Sequence, residues 1–230
     1  MDASTDTGSA GRHAPGALRL GALGGIAFAA VLLAGVFAAP MPPQPGDAPS
    51  AIRSYYVEHA DAVRVAASAQ ALAAVFFLLF VCALARSLER GGAASIAPAA
   101  TLGTGVLALA ATLAGTAAFG TLGFGVAEDA DPDLVRALFD LGNMALNVGD
   151  PVLAAFVGVP SFVALRERVL PRWIALFGLA VAVGWAVAGV SILVREGPFA
   201  GPNGAYGMTV VVVFLVWVVA TSAALYRREG

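Results

Sequence analysis

Residues 137–165 read ALFDLGNMALNVGDPVLAAFVGVPSFVAL, an apolar segment that contains Asp140, Asn143, Asn147 and Asp150. A hydrocarbon core of about 30 Å is crossed by about 20 apolar residues at 1.5 Å each, so the segment is long enough to span a bilayer. Its four polar residues follow the spacing i, i+3, i+7, i+10, which places them on one face of a helix. Polar and ionisable groups at membrane depth are costly and mark candidate functional positions.

Five further segments have the same character. With 137–165 they give spans at about 18–39, 63–85, 98–125, 172–194 and 206–226. The fold class expected is all-α, a polytopic bundle of six transmembrane helices whose principal partner is the lipid bilayer. Composition agrees: 59% of the 230 residues are hydrophobic and 12% are charged, against about 25% charged in an average soluble domain. Mean hydropathy is +0.84. Residues 1–17, MDASTDTGSAGRHAPGA, read as a disordered cytoplasmic tail, leaving 18–230 as the membrane domain.

The 13 basic residues are all arginine, which suggests a GC-rich bacterial genome and the bacterial cytoplasmic (inner) membrane. Arg12, Arg19, Arg86, Arg90, Arg166, Arg168, Arg172, Arg227 and Arg228 fall at one set of span ends, and Arg53, Arg64, Arg136 and Arg195 at the other. Arginine excess marks the cytoplasmic side, so both termini are expected there. Val36-Phe37-Ala38 resembles a signal cleavage site, and cleavage would leave five spans. The apolar stretch is longer than the usual 7–15 residue signal core, which favours a retained span.

The net charge of −2 gives no reason to expect nucleic acid as a partner. Cys82 is the sole cysteine and His13 and His59 are far apart, so no disulfide, metal cluster or cofactor site is indicated. No HExxH, GxSxG or Walker loop is present, which leans away from an enzyme.

The chain also carries weak internal similarity. LAAVFFLLFVCALAR (72–86) aligns with LAAFVGVPSFVALR (153–166), and Ala224-Leu225-Tyr226-Arg227 ends in the same way. Three tandem hairpins, or a chance match among Ala/Leu-rich spans, account equally for this. The pieces before spans 2 and 4 are expected to be amphipathic helices at the outer surface. In the first, Ile52, Tyr55, Tyr56, Ala60 and Val63 share a face, and Ser50 suits an N-cap. Tyr55 and Tyr56 suit anchoring at the headgroups, favoured here over a lid above a cavity. Gly21, Gly25 and Ala29 in span 1, and Thr112, Thr116 and Gly120 in span 3, form small-residue ridges suited to helix packing. Trp185 and Trp217 fall mid-span, where they fill gaps between helices.

Gly149-Asp150-Pro151 complicates span 4. Asp before Pro is a helix-start signal and Gly suits a helix end, so span 4 reads either as broken at Asp150 or as continuous with the Asn147 carbonyl freed. If Arg166 marks one interface, Asp140 and Asn143 lie near the outer headgroups, Asn147 at the boundary and Asp150 within the membrane. The bland reading makes Asp140 and Asn143 a wet surface and Asp150 a cap. The sharper reading makes Asp150 the main charge of a pocket for a small solute, ion or proton, with Asn147, Asn143 and Asp140 on the access path. By the internal alignment Gln70 in span 2 falls within about one turn of the counterpart of Asp150 and is expected to hydrogen-bond to Asn147 or Asp150. Asp140 and Asp150 stand about 15 Å apart along the helix, too far for paired acid/base work, so catalysis would need Glu128, Asp61 or Gln70. A membrane enzyme acting on a lipid or isoprenoid, and a regulatory membrane subunit, are the alternative functions.

Leu170-Pro171-Arg172-Trp173, continuing as IALFGLAVAVGWAVAG and preceded by VALRERV, resembles the second half of a bacterial, actinobacterial-type family of six-helix integral membrane proteins of unknown function. The likeness covers residues 135–195, with a looser match over 45–59. It implies a six-helix fold and carries no activity, cofactor or site residue.

Overall fold

The computed structural model describes residues 16–92, 96–194, 197, 199 and 204–228. Arg12, Arg195, His13 and nearly all of the N-terminal tail lie outside them. The described residues form an all-α bundle with six helices long and apolar enough to cross a membrane, so the chain is a multi-pass membrane protein. The spans are α1 (Ala17–Ala38), α3 (Ala60–Arg90), α4 (Ala97–Thr121), α6 (Pro132–Glu167), α7 (Arg172–Ala188) and α8 (Ala205–Arg227). A short helix, α2 (Pro49–Glu58), and a three-residue turn, α5 (Ala127–Asp129), lie at the end of the bundle remote from both chain termini, here the far end.

The six spans form a closed ring in chain order, each packed on the next and α8 returning to α1. α1 with α3 and α4 with α6 are the most extensively packed pairs, in keeping with two of the three expected hairpins. α7 packs more against α6 than against α8. Lipid offers no hydrophobic drive for helix association, so close backbone approach does this work. On α1, Gly21 lies against Ala83, Gly24 faces the Phe76 carbonyl, and Gly25 sits under Ser222 and the Phe80 ring. The expected small-residue ridge of span 1 is therefore used inside the ring.

An aromatic cluster fills the centre of the ring. Phe28 and Phe77 stand 4.9 Å apart, Phe77 and Phe156 5.2 Å, and Trp185 and Phe214 5.8 Å. Phe80, Phe156 and Trp217 continue it toward the termini, with T-shaped contacts at 6.2 Å. Below them Leu84, Leu88, Ala164, Ile174 and Leu225 are fully or nearly fully buried, so the half of the ring nearer the termini is solid.

One alternative is decided and two expectations are corrected. Of the two readings of span 4 the continuous one holds: α6 runs unbroken from Pro132 to Glu167 with Pro151 and Pro160 inside it. After α7 the chain winds into a tight 3-10 turn (Gly189–Leu193) whose Gly189 packs on the Pro151 ring. The helix expected before span 4 is the first part of α6 itself, capped by Asp131, whose carboxylate accepts from the Asp133 amide. Finally, α2 begins at Pro49 after Ala48, without a Ser50 cap, and a bend at His59 separates it from α3.

Gly25→Leu forces the new side chain into Ser222 and Phe80, and overpacking of this kind costs about 1–3 kcal/mol. A lowered thermal midpoint in detergent is expected, while Gly103→Leu, with nothing within 4 Å of its added Cβ, leaves the midpoint unchanged. Equal effects would contradict the ring-closing role of Gly25.

Candidate functional site

Above the aromatic cluster the ring is hollow. A cavity of about 360 Å³ reaches toward the far end and is bordered by residues of all six spans and α2. The sequence makes it hollow by placing small residues there: Ala66, Ala67 and Ala74 on α3, Ala108 and Gly120 on α4, and Ala188 on α7. Phe28, Phe77 and Phe214 form its floor. The volume suits a small organic molecule.

Asp150 and Gln70 both line this cavity. Each lies 16 residues before an arginine at the termini end, Arg166 and Arg86, which sets both at about 24 Å from that level. Asp150 is 6% exposed. Among the described residues its carboxylate accepts no hydrogen bond, and no basic side chain lines the cavity. The expected hydrogen bond from Gln70 to Asn147 or Asp150 is not formed; the amide of Gln70 shares the cavity instead.

The other polar residues of α6 are used differently. Asn147 is buried and its side-chain oxygen accepts from the Ser191 hydroxyl at 3.3 Å, so it pins the 3-10 turn beside Asp150. Asn143 donates back to the Phe139 carbonyl at 2.9 Å, and its own Oδ1 is buried without a donor among the described residues. Asp140 is half-exposed and accepts from Arg136 Nε at 2.9 Å. Arg136 also donates to the Asp47 carbonyl at 3.0 Å and to the Pro45 carbonyl. The structure thus brings Asp150 and Gln70 to one cavity, sets Asn147 behind it, and leaves Asn143 and Asp140 outside it. Asp140 orients an arginine that ties down the loop before α2.

Thr112 and Thr116 line the cavity, although their spacing suggested helix packing. Their hydroxyls donate one turn back to the Ala108 and Thr112 carbonyls at 2.9 Å, so they present acceptor lone pairs to the cavity at no cost in unsatisfied donors. Trp185, Ser191 and Tyr206 complete the wall. Sequence reading took Trp185 for a gap filler and passed over Tyr206. Tyr206 donates to the Gly184 carbonyl at 3.0 Å, joining α8 to α7 beside the cavity.

A cap covers part of the far end. Ile52 and Tyr56 are buried in a second apolar cluster with Val63, Leu122, Val135 and Phe139, so their face of α2 packs on protein and not on headgroups. Tyr55 donates to the Pro40 carbonyl at 2.7 Å, and Arg53 reaches the Ala127 and Glu128 carbonyls at 2.8 and 2.6 Å. Those carbonyls belong to α5, which follows a widened helical turn, Leu122–Val126, in which Gly125 takes φ +117°, a conformation open to glycine. Tyr55 and Tyr56 both line the cavity. The lid, disfavoured from sequence, is where α2 stands.

Asp61 is an exposed partner of Arg64, and Glu128 is exposed at the cap; neither lines the cavity. No cluster of metal-ligating side chains occurs among the described residues. No family model, characterised protein or solved structure matches the chain, so its chemistry is argued from this geometry alone.

Burial raises the pKa of Tyr55, and that of Tyr56 more strongly, with Tyr55 adding to the effect on Tyr56. A raised phenol pKa favours the folded, neutral form below the unfolded value of about 10 and is lost as pH rises beyond it. The thermal midpoint of the wild type is expected to fall between about pH 8 and pH 11, and Tyr56→Phe to reduce that fall. An identical fall in the variant would remove Tyr56 from the cap's alkaline response.

Proposed function

We propose that this chain is a non-enzymatic membrane protein that binds or passes a small solute, ion or proton through the cavity at Asp150. The observation that carries the reading is a buried carboxylate that accepts no hydrogen bond from the described residues, lining a cavity that all six spans border. A lone carboxylate at membrane depth is costly, and a proton or a bound cation removes that cost. Asp150 is the anchor, Gln70, Thr112 and Thr116 are polar contacts around it, and Asn147 with Ser191 holds the adjoining turn. The solid aromatic half of the ring makes the cavity a dead end toward the termini in this conformation. Access is from the far end, past α2.

The arginine distribution supports an orientation with both termini in the cytoplasm and the cavity facing outward across a bacterial inner membrane. The enzyme alternative lacks a second carboxyl at the cavity among the described residues. The subunit alternative predicted an exposed small-residue face on span 1 or 3. The ridge of span 1 is consumed by α3 and α8, and that of span 3 faces the cavity.

One-sided access is tested with Thr116→Cys in a Cys82→Ser background, in sealed vesicles whose orientation is read from a C-terminal tag. A membrane-impermeant maleimide is expected to label Cys at 116 only from the side opposite the tag. Labelling from the tag side, or from neither side, would contradict the reading.

A further inference from the structure

The character of the cavity wall narrows the class of solute. Asp150 is the sole charged residue among the described residues lining the cavity, and no Arg, Lys or His accompanies it. An anionic ligand would meet a like charge and no cationic partner. Eight aromatic side chains line the same space: Phe28, Tyr55, Tyr56, Phe77, Phe119, Trp185, Tyr206 and Phe214. Aromatic faces attract cations, most strongly when both are desolvated.

The placement of these groups fits one kind of molecule. Gly189 packs on Pro151 and Asp150, and Trp185 lies four residues earlier in α7, so Trp185 lines the same cavity as Asp150 about one helical turn deeper in the bundle. Phe77 and Phe214 floor the cavity below, and Tyr55 and Tyr56 meet it from α2. Small hydrated metal ions need several oxygen ligands. Here one carboxylate stands with a carboxamide and back-bonded hydroxyls in a mostly apolar wall.

We propose that the cavity is a site for a lipophilic ammonium compound, its cationic head held between Asp150 and Trp185 and its apolar body on the Phe77–Phe214 floor. This rests on the reading of the cavity as a solute site and names the ligand class for it. Ammonium chemistry has two sources, a free amine or the headgroup of an amine-bearing lipid such as phosphatidylethanolamine.

Calorimetric titration in nanodiscs of pure phosphatidylglycerol, which carries no amine, tests the proposal with three probes of similar size: benzyltrimethylammonium, N-benzylacetamide and 4-phenylbutyrate. The ammonium is expected to bind at least about ten-fold more tightly than the other two, a factor within the range of a desolvated cation–π and ion-pair contact. Asp150→Asn is expected to erase that preference. Gln70→Glu, which adds a carboxylate at the same depth, is expected to strengthen ammonium binding and provides the test if the Asp150 variant does not fold. Equal binding of the three probes, tighter binding of the carboxylate, or no gain in Gln70→Glu would overturn the ammonium assignment while leaving a solute cavity in place. No binding of any probe would remove both. Repeating the titration with phosphatidylethanolamine in the discs separates the sources. Weakened probe binding upholds a headgroup ammonium as occupant, and unchanged binding upholds a free amine.

Discussion

Close approach of α1 to both α3 and α8 is the contact on which the rest of this structure depends. Five of the six helix pairs in the ring are neighbours in sequence; the sixth, α8 against α1, joins the two ends of the chain. Gly25 serves both sides of that junction, with Phe80 of α3 and Ser222 of α8 against its backbone. Arg19 adds a contact over the Tyr226 ring, 5.6 Å from its centroid, at the termini end. Opening the junction would expose the cavity wall and Asp150 to lipid, where a carboxylate is least tolerable.

Within the closed ring, side-chain size sets where matter and space fall. Large aromatics sit at mid-depth and meet edge to face, so the half nearer the termini is filled. Farther out alanine, glycine and back-bonded threonine share the inward positions with Phe119, Leu146 and Tyr206, and six helix backbones held apart by the aromatic plug leave space between them. The cavity is thus a consequence of one packed layer holding the ring open above it. Arg53 and Arg136 stabilise the cap by reaching backbone carbonyls of neighbouring segments. These bonds are local to the far end and leave the membrane-embedded walls untouched.

The spans were legible because length and hydropathy alone define them. The inward face of α6 was legible from its period: Asn143, Asn147 and Asp150 are buried while Met144 and Val148 are exposed. The same period misled at Asp140, because α6 extends past the ring there and its face meets the cap loop, not the cavity. Asp150-Pro151 reads locally as a helix start, yet α6 continues through it with the 3-10 turn packed on Pro151, a long-range contact that nothing local encodes. Thr112 and Thr116 have the spacing of a packing ridge; which neighbour a ridge faces depends on the ring, and nothing local encodes that. Tyr55 and Tyr56 carry the signature of an interfacial anchor, yet the apolar positions they share with Ile52 are matched by Leu122, Val135 and Phe139 from distant segments. Ring closure itself has no sequence signature beyond small residues on span 1.

The central claim is that α6 turns Asp150 toward the cavity and away from lipid. Nitroxide scanning of residues 144–153 in bilayers measures this directly, through collision rates with oxygen dissolved in lipid and with a water-soluble relaxant. The account predicts water-type accessibility peaking at 146, 150 and 153, and oxygen accessibility peaking at 144 and 148. An oxygen maximum at 150, with water-type accessibility at 148, would contradict it.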